Sequence, residues 1–73
     1  MKIINQNKDF IIDTENMEAL TMNTEHTKIA GIGVNQLYTL GEYKTVERTE
    51  EVFAQLVALD TKYSHMTYQM PEE

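Results

Sequence analysis

Arg48 is the only arginine in the chain, and Tyr43, Lys44 and Thr45 precede it at a point where a helix is expected to begin. A guanidinium can grip a phosphate or carboxylate through two parallel hydrogen bonds, and the unpaired amides of a helix start favour an anion. Tyr43, Lys44 and Arg48 are therefore candidate ligands for a nucleotide, with Glu47 and Glu50 opposing them. The competing role for Arg48 is an ion pair with Glu51 or Glu42. Other chemistry is harder to assemble. His26 and His65 are isolated and lack metal-ligand spacing. Ser64 directly precedes His65, and neighbours on a helix point about 100° apart, so they do not face one another. With no cysteine there is no thiolate nucleophile or redox couple. Gly31-Ile32-Gly33-Val34-Asn35-Gln36 opens like a dinucleotide fingerprint, but Gln stands where the third Gly belongs and no helix signal follows. Glu50-Glu51 and Glu72-Glu73 read as solvated charges at a helix start and in a tail. The expectation is a protein that is not an enzyme and that uses no metal or cofactor.

Charge sets the class of partner. The 73 residues carry six Lys and Arg against twelve Asp and Glu, a formal charge of −6. The cations are scattered, so direct contact with a nucleic-acid backbone is disfavoured. The excess is uneven: residues 1–44 carry four cations and six anions, residues 45–73 two and six. An acidic helix can be steered toward a basic protein surface by long-range attraction. No run approaches the ~18 apolar residues of a membrane span, and no export signal is visible, so a soluble cytoplasmic protein is expected.

The elements that must position these groups divide near Thr45. Residues 1–44 hold all the isoleucines and all the glycines, which suggests an antiparallel sheet portion of four or five short strands. Strands are read over 1–6, 10–13, 28–34 and 36–43, with 17–22 either a strand or a single helical turn. Gly31 and Gly33 mark a bulge or a close approach of chain segments. Residues 45–73 form the C-terminal helix and tail, within what is overall one α+β domain. Thr45 is a good N-cap, and Val46, Val52, Phe53, Leu56, Val57 and Leu59 fall on one side of the helix. The stripe Val52, Leu56, Leu59, Tyr63, Met66, Met70 keeps spacings of four and three up to Pro71, which predicts a helix from 46 to about 70. Thr61, Ser64, Thr67 and Tyr68 are weaker helix formers and support the competing reading, a break near Ser64 with the tail folding back. A continuous helix would be roughly 37 Å long and would overhang strands of ~17–20 Å. Its exposed end at Tyr63, Met66 and Met70 would then need cover, most simply from a second copy, giving a dimer or higher homo-oligomer. No internal repeat is visible.

Met1-Lys2-Ile3-Ile4-Asn5-Gln6-Asn7-Lys8 and Leu40-Gly41-Glu42-Tyr43-Lys44-Thr45-Val46-Glu47-Arg48-Thr49-Glu50-Glu51-Val52 resemble a group of very short proteins from phages and prophages of Gram-positive bacteria. The likeness covers about a third of the chain. It implies an accessory, anti-defence type of protein that inhibits a host or bacterial defence protein by stoichiometric binding. On that reading the partner surface is the acidic helix at Glu47, Glu50 and Glu51 together with Tyr63, Met66 and Met70. The alternative is an oligomeric sponge that holds a signalling nucleotide at a subunit junction through Tyr43, Lys44 and Arg48.

Overall fold

The structure is a computed structural model and describes residues 1–62 and 65–73. Two three-stranded sheets and one helix are built from it. The first sheet contains β1 (Lys2–Ile4), β2 (Ile11–Asp13) and, far along the chain, β6 (Thr67–Gln69), in the order β2-β1-β6. The second contains β3 (Ala19–Met22), β4 (Lys28–Ile32) and β5 (Leu37–Glu42), in the order β3-β4-β5. Helix α1 (Val46–Lys62) follows β5 and packs against β4. The α+β class stands, but the expected single sheet of four or five strands is divided in two. Residues 19–22 are strand, and a 3-10 turn, Thr14–Asn16, leads into them.

Both hairpin turns that join the early strands are organised by one asparagine each. Asn5 closes the β1–β2 turn by accepting hydrogen bonds on its Oδ1 from the amides of Asp9 (2.9 Å) and Phe10 (3.0 Å). Asn23 does the same in the β3–β4 turn, accepting from Thr27 (2.8 Å) and Lys28 (2.9 Å). Each asparagine's carbonyl takes the amide three residues on, from Lys8 and His26, both at 3.0 Å. Those two residues are the non-glycine positions with positive φ, 61° and 57°, among the described residues. A left-handed residue without glycine is strained unless its surroundings fix it, and these side-chain bonds supply that fixing. The two turns are thus a structural repeat, carried in sequence only by the asparagine that opens each.

Gln6 joins the sheets. Its amide donates to the Leu40 carbonyl (2.7 Å), and its side chain bonds both the Glu42 amide (2.8 Å) and the Glu42 carbonyl (2.9 Å). One glutamine therefore acts as a short strand along the outer edge of β5. Within the second sheet, a bulge between Ile29 and Ala30 shifts the register against β5. Gly31 is a close approach: a Cβ there would stand 2.3 Å from the Met17 sulfur.

Thr45 caps α1 as its position suggested, its hydroxyl accepting from the Arg48 amide at 3.1 Å. Thr49, Val52 and Leu56 are the buried residues of the helix, with Phe53 and Leu59 packed beside them. Thr49 is tolerated in the core because its hydroxyl donates back to the Thr45 carbonyl at 2.9 Å. Val46 and Val57, assigned to the inner face by their spacing, are exposed.

The far end corrects the continuous helix. Residues 45–73 are not one rod and tail: α1 stops at Lys62 and the chain returns as β6, parallel to β1 with Lys2 opposite Thr67 and Ile4 opposite Gln69. Met70 is fully buried, and Tyr68 is buried with it beside Met1, Ile3 and Leu56. Exposure alternates along Thr67, Tyr68, Gln69 and Met70, the two-residue period of a strand. Met66 remains 38% exposed just before β6, and Tyr63 lies outside the described residues. Among the described residues the overhanging ridge that called for a second copy is not formed: Met70, its far end, fills the protein's own core.

Two substitutions separate the strand from the helix. Met70→Ala should cost about 2–5 kcal/mol in urea unfolding, the usual loss for emptying a buried methionine site, while Val57→Ala on the exposed helix face should stay within about 0.5 kcal/mol. Asn5→Ala, which removes a buried side chain and leaves the part-buried amides of Asp9 and Phe10 without their acceptor, should cost more than Asn23→Ala, on the order of 1–3 kcal/mol.

Candidate functional site

Tyr43, Lys44 and Arg48 do come together. With Thr45, Glu42, Glu72 and Glu73 they line a cleft of about 390 Å³ at the start of α1. Tyr43 is carried there by the end of β5 and held by its amide, which donates to the Thr27 carbonyl at 2.8 Å. Its ring lies over Gly41, where a Cβ would approach the hydroxyl to 2.9 Å, so the glycine makes room for the tyrosine.

Two of the three candidate anion ligands, Tyr43 and Arg48, are already engaged by the protein. The Tyr43 hydroxyl donates to the Pro71 carbonyl (2.9 Å), and Arg48 Nε donates to the Glu73 carbonyl (2.9 Å). The Arg48 guanidinium also pairs with Glu51, one of its two expected intrachain partners. Glu72 reaches back to Lys8 at 3.0 Å, and its carbonyl takes the Gln6 side chain at 2.9 Å. The segment Pro71–Glu73 thus lies across the cleft and occupies its donors. Three acidic residues, Glu42, Glu72 and Glu73, line the walls beside two cations, Lys44 and Arg48. A phosphate entering here would have to displace the Glu73 main-chain oxygen from Arg48.

Two carboxylates at the acidic helix start are engaged in the same way. Glu50 accepts from His26 Nδ1 at 2.7 Å, tying the β3–β4 turn to the helix, and Glu51 holds Arg48. Glu47 is exposed. Glu47, Glu50 and Glu51 therefore remain on the surface, but they no longer adjoin an apolar stripe, since Met70 is in the core.

A different surface carries the exposed apolar residues, and the sequence reading missed it. Ile11 on β2 is 60% exposed, and Val34 and Leu37 on the β4–β5 hairpin are 78% and 60% exposed. Ile11 and Val34 face the same cleft of about 400 Å³, which runs between β2 and the hairpin tip and is also lined by Asp13, Met17 and Tyr38. Phe10 and Tyr38 stand beside it with ring centroids 5.8 Å apart. The hairpin is closed by Gly33 donating to Gln36 at 2.8 Å, which leaves Val34 at the turn. The one signal in sequence was Val34, an apolar residue at the junction of the strands read over 28–34 and 36–43, where polar turn residues are usual.

No family model, no curated protein and no solved structure matches this chain. Among the described residues no helix is long and apolar enough to cross a membrane, and no group of three or more His, Cys, Asp or Glu residues could hold a metal ion.

Burial pushes the Tyr43 hydroxyl up to about 12, with the nearby Tyr68 reinforcing the rise and Arg48 opposing it. Burial also raises Tyr68, whose hydroxyl donates to Gln55 Oε1 at 3.0 Å. A tyrosine whose folded pKa lies above its unfolded value keeps its contribution to stability below about pH 10 and loses it as pH rises toward 12, because only the unfolded chain releases the proton. Stability should therefore be flat up to about pH 10 and fall between about 10 and 12. Phenolate absorbance should show Tyr43 and Tyr68 ionising late, and Tyr43→Phe should flatten the alkaline fall.

Proposed function

We propose that this protein works by binding, as a stoichiometric accessory protein that docks on another protein, in line with the phage-type proteins its ends resemble. The observation that carries this reading is the meeting of Ile11 and Val34, two of the six large hydrophobic side chains exposed among the described residues, on the walls of one cleft, with Leu37 exposed on the same hairpin. Scattered single exposures are ordinary, whereas a grouped apolar surface beside a cleft is what protein contacts use. The formal charge of −6 suits a basic partner surface, and attraction of that kind speeds encounter more than it strengthens the final complex. A host or bacterial defence protein is the class of partner the resemblance suggests. The contact surface proposed is the β2 and hairpin face, in place of the stripe at Tyr63, Met66 and Met70.

The nucleotide sponge is the less favoured reading, since the donors of Tyr43 and Arg48 are occupied by carbonyls of residues 71 and 73.

Affinity capture from bacterial lysate should yield a defined protein in equimolar complex, less readily as salt is raised. Val34→Lys combined with Leu37→Lys should weaken capture by at least ~10-fold while leaving the unfolding midpoint near that of the wild type, since both side chains are exposed. Capture unchanged by the pair, or capture lost only in Arg48→Ala, would overturn the reading.

A further inference from the structure

The outer edge of β2 has the properties of a template for another strand. Thr14 donates to the Met1 carbonyl (2.8 Å) and Asn5 to the Phe10 carbonyl (3.3 Å), and the register places Ile3 opposite Ile12 between them. Bonded pairs alternate with non-bonded ones along an antiparallel ladder, so 1/14, 3/12 and 5/10 are the bonded pairs. Ile11 and Asp13 belong to the non-bonded pairs, and their main-chain N–H and C=O groups point away from β1. The same alternation on the other side of β1 is satisfied: Lys2 donates to the Met66 carbonyl (2.9 Å), and the Ile4 carbonyl accepts from Met70 (3.0 Å). β2 is the terminal strand of its sheet, and nothing takes its outer groups among the described residues.

The outer edge of β5, by contrast, is covered by Gln6. β2 has neither the lysine nor the proline with which exposed edges are usually blunted. Beside it runs the cleft between β2 and the hairpin, with Ile11 and Val34 on its walls. The stretch 9–18 that contains β2 has four carboxylates, Asp9, Asp13, Glu15 and Glu18, and no cation. An unpaired strand edge beside a cleft with apolar residues on its walls is what strand addition uses: main-chain bonds give affinity, and alternate side chains enter the cleft. The four carboxylates outnumber the two cations nearest the strand, Lys2 opposite Asp13 and Lys8 in the β1–β2 turn, and favour basic side chains in the ligand.

We infer that β2 accepts an extended segment of a protein partner as an added strand, bonded to the main chain of Ile11 and Asp13, with apolar residues alternating with Lys or Arg. The inference rests on the binding reading above and specifies the form of the ligand.

The test is selection of random extended peptides, displayed on yeast, against the intact protein. Enriched sequences should alternate apolar and basic residues, and on binding the Ile11 and Asp13 amides should exchange more slowly with solvent. Methylating alternate peptide amides should weaken binding ~10-fold or more, because the added ladder loses its donors. Ile11→Lys should abolish binding, and Glu15→Lys with Glu18→Lys should weaken it, with unfolding midpoints checked for each. Absence of enrichment, tolerance of methylation, or undiminished binding by Ile11→Lys would overturn strand addition. If equimolar capture of a lysate protein still depends on Val34 and Leu37 while no peptide is enriched, docking stands and strand addition falls. If capture and enrichment both fail, the two fall together.

Discussion

The parallel pairing of β1 with β6 holds the rest of the structure in place. It brings Tyr68 and Met70 to Met1 and Ile3, and together with Val52 and Leu56 of the helix and Ile29 and Leu40 of the second sheet they form a single core. Parallel strands cannot be joined by a tight turn, so the whole intervening chain has to serve as the connection. The helix is the last part of that connection, and its length is set by the need to return to β1. This explains why α1 ends at Lys62 even though the apolar spacing beyond it continues to suit a helix. Burying Tyr68 and Met70 between strand and helix removes more apolar surface from water than a projecting rod would.

The two sheets are held to each other by polar side chains at defined points. Gln6 links the β1–β2 turn to β5 and also to the carbonyl of Glu72. Thr14, on the turn after β2, donates to Asp60 near the end of the helix at 2.9 Å, and His26 bonds Glu50 near its start. Asn5 and Thr49 are buried and bonded, and no buried side-chain nitrogen or oxygen among the described residues lacks a partner. A small core leaves little margin for an unsatisfied polar group, and these bonds keep that cost low.

What the sequence showed clearly was local. The cap at Thr45, the start of the helix and the inward positions Val52 and Leu56 followed from residue types a turn or two apart. Four of the six strands, β1, β2, β4 and β5, were placed to within two residues, since β-branched runs bounded by Asn and Asp are also local signals. The end of the helix was different. Leu59, Met66 and Met70 satisfy a helical spacing by coincidence, while the choice of strand for 67–69 depends on Ile3 and Ile4, more than sixty positions away. The division into two sheets was hidden for the same reason, since it depends on which edges Gln6 and β6 cover. At the candidate sites, the convergence of Tyr43, Lys44 and Arg48 was legible because they are close in sequence. Their occupation by residues 71–73 was not, and neither was the meeting of Ile11 with Val34 across a cleft.

The repeated asparagine turns have a consequence for how the chain reaches its final shape. Each is complete within six residues, so both hairpins can close early on local bonds alone, before any distant contact forms. The closing of β6 on β1 carries the full entropic penalty of a loop that long, which grows only slowly with length but must be met before the core gives anything back. Assembly is therefore ordered by distance along the chain: two quick reversals, then the helix, and last a single slow zipping that converts a loose collection of pieces into an all-or-none unit.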